Sequence, residues 1–154
     1  MIEKGVVKAK VLDRTPFLKM LFFQYMISNT DWNIKHKHNM EIVKFKDQNR
    51  LAAIPYDFDY SGFVGTDYAI AHPSFPVLEV SQRYFRVNNL SEEEMDISVA
   101  FFNNIRDDME QMLDDEPYLN DESKREIKKS ISSFYKTINS SKKRPEFVMK
   151  NPDK

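Results

Sequence analysis

The chain contains no cysteine, and that absence removes disulfide frameworks and thiolate metal sites together. It says nothing about compartment, because exported proteins can lack cysteine too. Glycine is nearly as scarce, with three in 154 residues. A fold made of tight turns needs many residues at positive φ, so helices and their connections are expected to dominate. Charge of one sign is not in excess either. The 23 basic and 24 acidic side chains leave a formal net charge of −1, which argues against a general nucleic-acid binder neutralising many phosphates. Long hydrophobic runs are also missing. The stretch Phe17 to Ile27 is broken by Lys19 and Gln24 and is too short to span a bilayer. The N-terminus, "MIEKGVVKAKVLDRT", has no apolar h-region and no small-residue cleavage site. As it stands, the chain is therefore expected to be cytoplasmic, without a membrane span.

What is present reads as globular: 41% hydrophobic, 31% charged, with 12 Phe and 7 Tyr. This suits one α+β, mainly helical domain over residues 1–140 and a flexible tail over 141–154. Residues 5–12, "GVVKAKVL", suit a short strand or extended lead-in. Thr15 as cap and Pro16 at the first helical position predict a helix running to about Asn29. Apolar residues on nearly all its sides make it central. "HNMEIVKF" and "RLAAIPY" predict a β-hairpin turning at Lys46–Asn49, with Met40 and Ile42 on one face. A long irregular segment follows from Ser61 to Pro76, then "VLEVSQRYFR", short helix or extended chain. Ser91 and Glu94 form a capping-box pattern before Met95, Ile97, Phe101, Ile105, Met109 and Met112, whose Met and Phe side chains are expected in the core. A second C-terminal helix should start at Asn120 or Asp121 and present Ile127, Ile131, Phe134, Tyr135 and Ile138.

The chemistry-bearing residues lie around the hairpin, in "NTDWNIKHKHN" (Asn29–Asn39) and "IPYDFDYSG" (Ile54–Gly62). If the hairpin forms, Asn39 at its start and Asp57 beyond its end come to one edge. Carboxylate and amide oxygens are the ligands magnesium prefers, and an acceptor hydroxyl needs a carboxylate to orient it and take its proton. His36 and His38 alternate with lysines: His36 reads as part of a solvated basic loop, and His38 either belongs to that loop too or orients Asp31 or touches phosphate. With His72 the only other histidine, a zinc site is not expected. Trp32 either stacks on a ligand or packs after the helix. Arg83 and Arg86 either meet a phosphate or tie the irregular segment to Asp59, with a structural ion pair the favoured reading.

At these residues the chain resembles the atypical kinases of the HipA and CotH types, which carry a pattern like N-T-D-x-H-x-x-N, a hairpin, and then P-x-Y-D or W-D-x-D. It is also similar to a group of Bacteroidetes proteins with kinase-like motifs, through "FQYMISNTDW", "HN", "PYDFDYSGFVGTDYA" and "SQRYFR", over roughly residues 20–90. The resemblance implies the C-terminal lobe of a kinase-like fold, with Asp31 as catalytic base and Asn39 and Asp57 as metal ligands. Asp59 would be a supporting or second-metal carboxylate, with His38, Arg83 and Arg86 beside phosphate. Magnesium and ATP would be the cofactors, and the partners a nucleotide and an acceptor. No Gly-rich loop and no strand lysine precedes the motif. The expectation is thus the C-terminal half of a kinase-like protein, truncated or encoded alone and exported if the whole protein is, with its nucleotide lobe elsewhere. Glycosyl transfer through Asp57-Phe58-Asp59 and metal-dependent phosphoester hydrolysis rank below this reading. The competing class is a non-catalytic interaction module or fragment, with Val6, Val7 and Phe17 exposed.

Overall fold

A computed structural model of the chain describes residues 9–46, 50–71, 73–86 and 90–143. It is an α+β structure with four α-helices and one two-stranded antiparallel sheet among the described residues. The chain divides into two compact units, with the break between Phe85 and Arg86.

The first unit is built on helix α1, Arg14–Met26. Its cap is Asp13, not Thr15: the Asp13 carboxylate accepts the Thr15 amide at 3.3 Å and also pairs with Arg50 at 2.9 Å. Two partners make the acid the better cap, and the helix starts two residues before Pro16. The proline then occupies the first turn, where its missing N–H has no acceptor to lose. Phe17, Leu18, Met20, Leu21, Phe22 and Met26 are all buried, so the helix is central, as its all-round apolarity requires. Of the extended lead-in expected over 5–12, residues 5–8 lie outside the described residues. Ala9–Val11 form a single 3-10 turn, after which Leu12 makes a parallel bridge to Leu51.

Strands β1, Met40–Lys44, and β2, Leu51–Pro55, form the expected hairpin, in the register Met40↔Pro55 to Lys44↔Leu51. Met40 and Ile42 are buried, and β2 packs on α1. Residues 47–49 of the expected turn lie outside the described residues. From Tyr56 to Phe85 the chain runs without helix or strand among the described residues. Aromatic contacts moor it to α1: Phe58 meets Phe23 at 5.6 Å, while Phe85 meets Phe22 at 5.0 Å and Tyr25 at 5.4 Å.

The second unit holds three helices: α2 (Glu92–Asn104), α3 (Arg106–Asp115) and α4 (Asp121–Ile138). The capping box at Ser91 and Glu94 is formed, and Asn120 caps α4 by accepting the Ser123 amide at 2.8 Å. The continuous helix expected from Ser91 to Met112 is broken at Ile105, directly after the poor helix formers Asn103 and Asn104. Asn103 and Asn139 exchange amide hydrogen bonds of 2.8 and 3.0 Å across to the end of α4. The buried stripe of α2 is Met95, Ser98, Val99 and Phe102, so Ile97 points outward and Phe101 is half-buried. Met112 is exposed on α3, contrary to its expected core position, and Leu113 is the residue turned inward. On α4 the buried face is Ile131, Phe134, Tyr135 and Ile138, with Ile127 half-buried. Residues 144–154 of the expected tail lie outside the described residues.

Candidate functional site

The site begins where α1 ends. Ser28 takes a left-handed φ of 56°, its amide reaching the Tyr25 carbonyl and the Asn29 amide returning to Gln24 at 2.9 Å. This is the Schellman closure, with serine where glycine is usual. Asn29 is buried, and its side-chain oxygen accepts the Asp31 amide at 2.9 Å, which fixes the backbone that carries the carboxylate. The Trp32 indole donates to the Asn29 carbonyl at 3.1 Å and its ring is buried, so Trp32 packs the turn and offers no face to a ligand.

Between Asp31 and Asn39 the chain doubles back. Asn33 and His38 exchange both backbone hydrogen bonds at 2.9 Å, closing a small loop in which Lys37 has a φ of 53°. The loop turns Lys35 and His36 outward while Ile34 stays buried, and it returns Asn39 to Asp31. The Asn39 amide donates to the Asp31 carbonyl at 2.9 Å and to its Oδ2 at 3.0 Å. His38 Nε2 lies 2.8 Å from Oδ1, so each carboxylate oxygen has its own partner. His36 is exposed, with only its backbone amide turned back, to Asn33 Oδ1 at 3.0 Å.

The hairpin then brings in the second acidic segment. The Tyr56 amide donates to the Asn39 carbonyl at 3.1 Å, which places Asp57 beside the start of β1. Asn39 and Asp57 have left-handed φ angles of 51° and 58°. Phe58 points back to α1, leaving Asp57 and Asp59 to face each other. The Asp57 carboxyl is raised above its ordinary range, chiefly by a hydrogen bond to the Asp59 carboxylate and by that neighbour's charge. Desolvation adds to this, and the charge of Asp31 contributes last. Asp59 is held by Tyr68, whose hydroxyl donates to Oδ2 at 3.0 Å, and by Thr66, whose hydroxyl donates to its carbonyl at 3.0 Å. The bond to Asp59 also raises the Tyr68 phenol.

Asp31, His38 and Asn39 are therefore in direct contact, while Asp57 and Asp59 form a second pair close enough to feel Asp31. Arg83 is half-buried; its Nε donates to the Met26 carbonyl at 3.2 Å and its guanidinium lies 6.0 Å from the Tyr25 ring. Burial lowers its pKa. Arg86 belongs to the second unit, and His72 lies outside the described residues. Sequence reasoning missed Ser28, Gly62 and Tyr68. Only Gly62 carried a signal, as a lone glycine closing "DFDYSG".

The donor set suits a hard cation only in part. Asn39 spends its N–H group on Asp31, which leaves its side-chain oxygen uncommitted among the described residues. Among those residues no three His, Asp or Glu side chains are grouped so as to hold a metal alone. Magnesium does not demand such a cage, since it usually takes one or two carboxylates and completes its shell with water and substrate phosphate. Among the described residues no helix is long and apolar enough to cross a membrane. Compared with family models, curated proteins and solved structures, the chain has no match in any of the three.

Proposed function

We propose that the first unit carries a magnesium-dependent phosphoryl-transfer site of the atypical-kinase kind, with ATP as donor. Asp31 serves as the base that orients and deprotonates the acceptor hydroxyl. Asn39 and Asp57 ligate magnesium through oxygen, with Asp59 supporting Asp57 and His38 holding Asp31. The reading rests on one observation above the others: the Asn39 amide bonded to the Asp31 carboxylate at 3.0 Å across the intervening loop. It is supported by Tyr56, whose amide bonds the Asn39 carbonyl and so brings Asp57 near that pair.

Magnesium would neutralise the charge spread over the phosphoryl oxygens, and Asp31, oriented by Asn39 and His38, would take the hydroxyl proton. A cation between Asp57 and Asp59 would also relieve their mutual repulsion. Calorimetric titration with magnesium and ATP tests the assignment. Asp57→Asn is expected to abolish magnesium-dependent nucleotide binding while circular dichroism stays unchanged, and unaltered binding would remove Asp57 from the site. Running the same titration on a longer form of the protein, extended upstream in its natural reading frame, asks whether a nucleotide lobe is supplied from there.

The alternative is a non-catalytic interaction module. It is favoured by the exposed Ile54 and Tyr56 on the hairpin and by Val64, Tyr68, Ile70 and Leu78 beyond it. Phe17, which that reading expects to be exposed, is buried; Val6 and Val7 lie outside the described residues.

A further inference from the structure

The stretch Val80–Arg83 is remote in sequence from both acidic segments, yet it touches the chain beside each. The Ser81 carbonyl accepts the Ser28 hydroxyl at 3.1 Å, and Arg83 Nε donates to the Met26 carbonyl at 3.2 Å, both at the exit of α1. On the other side it meets Gly62. A Cβ built there would stand 2.8 Å from the Val80 carbonyl oxygen, 2.9 Å from Ser81 Cα and 2.8 Å from Ser28 Cβ. The Gly62 amide also donates to the Ser28 carbonyl, at 3.4 Å. Three segments thus meet at backbone distance: the turn leading to Asp31, the turn leaving Asp59, and residues 80–83. Glycine is required at 62 by space.

We infer that Val80–Arg83 is the brace that sets the separation between Asp31 and the Asp57–Asp59 pair, making Ser28, Gly62 and Arg83 positioning residues of the site. The hairpin fixes only the near end of that pair: its last bond runs from the Tyr56 amide to the Asn39 carbonyl, and the chain beyond Asp57 has no strand to pair with among the described residues. Phe58 against Phe23 gives one anchor, and the Gly62 contact gives the second. A cationic side chain on the last carbonyls of α1 is favourable to the helix dipole, which suits Arg83 to holding the far end of the brace.

The effect on turnover rests on the phosphoryl-transfer reading; the brace itself does not. Backbone amide NMR spectra of the whole chain and of its Arg83→Gln, Ser28→Ala and Gly62→Ala variants test it. In the two milder variants the amides of Asp31 and of Asp57 to Ser61 are expected to shift together, while those of α4 stay in place. Gly62→Ala should shift them further, and if it fails to fold the milder pair decides. Changes confined in both to residues 80–85 and their direct contacts at Met26 and Ser28 would overturn the brace. With magnesium and ATP, Arg83→Gln should lower kcat about 10²-fold, the scale of an ångström-sized misplacement, with little change in the KM for ATP and recovery in Arg83→Lys. A raised KM at constant kcat would make Arg83 a phosphate contact and overturn its positioning role. A wild-type chain inert toward magnesium and ATP would count against the phosphoryl-transfer reading alone, and the spectra would still decide the brace.

Discussion

Asn39 and Asp57 flank the hairpin in left-handed backbone conformations that most side chains avoid. Each such residue costs on the order of 1 kcal/mol, least for Asn and Asp, whose short polar side chains bond locally. The two positions therefore combine a backbone geometry and a functional group that few residue types supply together. The raised Asp57 carboxyl belongs to the same scale. Because its folded pKa lies above the unfolded one, the native state holds this proton more tightly. Its contribution to stability is present at low pH and is lost as the pH rises through the folded value. If Asp57 ligates magnesium as proposed, the cation competes with that proton, and its affinity should weaken as the pH falls through the same value. Carboxyl NMR checks the cause: Asp57 should titrate above the ordinary Asp range in the native chain and return toward it in Asp59→Asn. An unmoved titration would separate the shift from Asp59.

At the scale of elements, α1 and α4 show how differently two helices are secured. α1 is held by tertiary contacts at both ends, through Arg50 on its cap and Arg83 on its last turn. α4 keeps a local cap at Asn120 and an amphipathic face, and one of its ties to α2 is Tyr135. That hydroxyl donates to the Phe102 carbonyl at 2.6 Å under the Arg106 guanidinium, which lies 4.8 Å from the ring, and burial pushes the phenol up to about 12. Tyr135→Phe keeps the ring contacts with Phe134 and removes only the hydroxyl. Urea unfolding should show a loss of about 1 kcal/mol, the usual net worth of one buried hydrogen bond. A loss near zero would mean that packing and the Asn103–Asn139 pair join α2 to α4 without this hydroxyl.

For the molecule as a whole, the near balance of charge is the property with a direct consequence. With a net charge of −1 at pH 7 and an isoelectric point of about 6.3, the chain carries little self-repulsion close to neutrality. Exposed apolar residues, among them Ile70, Leu78, Met112 and Tyr118, lie on both units. Solubility should pass through a minimum near pH 6 and recover above about pH 8, which light scattering across a pH series will show. A solubility indifferent to pH would mean that specific contacts, not net charge, govern association.

Local signals in the sequence determined much of the fold. The capping box at Ser91, the cap at Asn120, the all-round apolarity of α1 and the alternation in β1 act within a turn of helix or along a single strand. Each is therefore legible in a short window. The order Asp31, Asn39, hairpin, Asp57 was legible too, because a hairpin returns the chain to its own start. Tertiary structure alone decided the rest. Asp13 displaced Thr15 as a cap because Arg50 is there to hold it, and Asn103 at the end of α2 is paired with Asn139 at the end of α4. Met112 was left facing outward because α3 turns Leu113 inward. Glycine at position 62 depends on Ser28 and Ser81, which lie 53 residues apart and meet across it. Close approach between distant segments is set by packing, and no local pattern of residues encodes it.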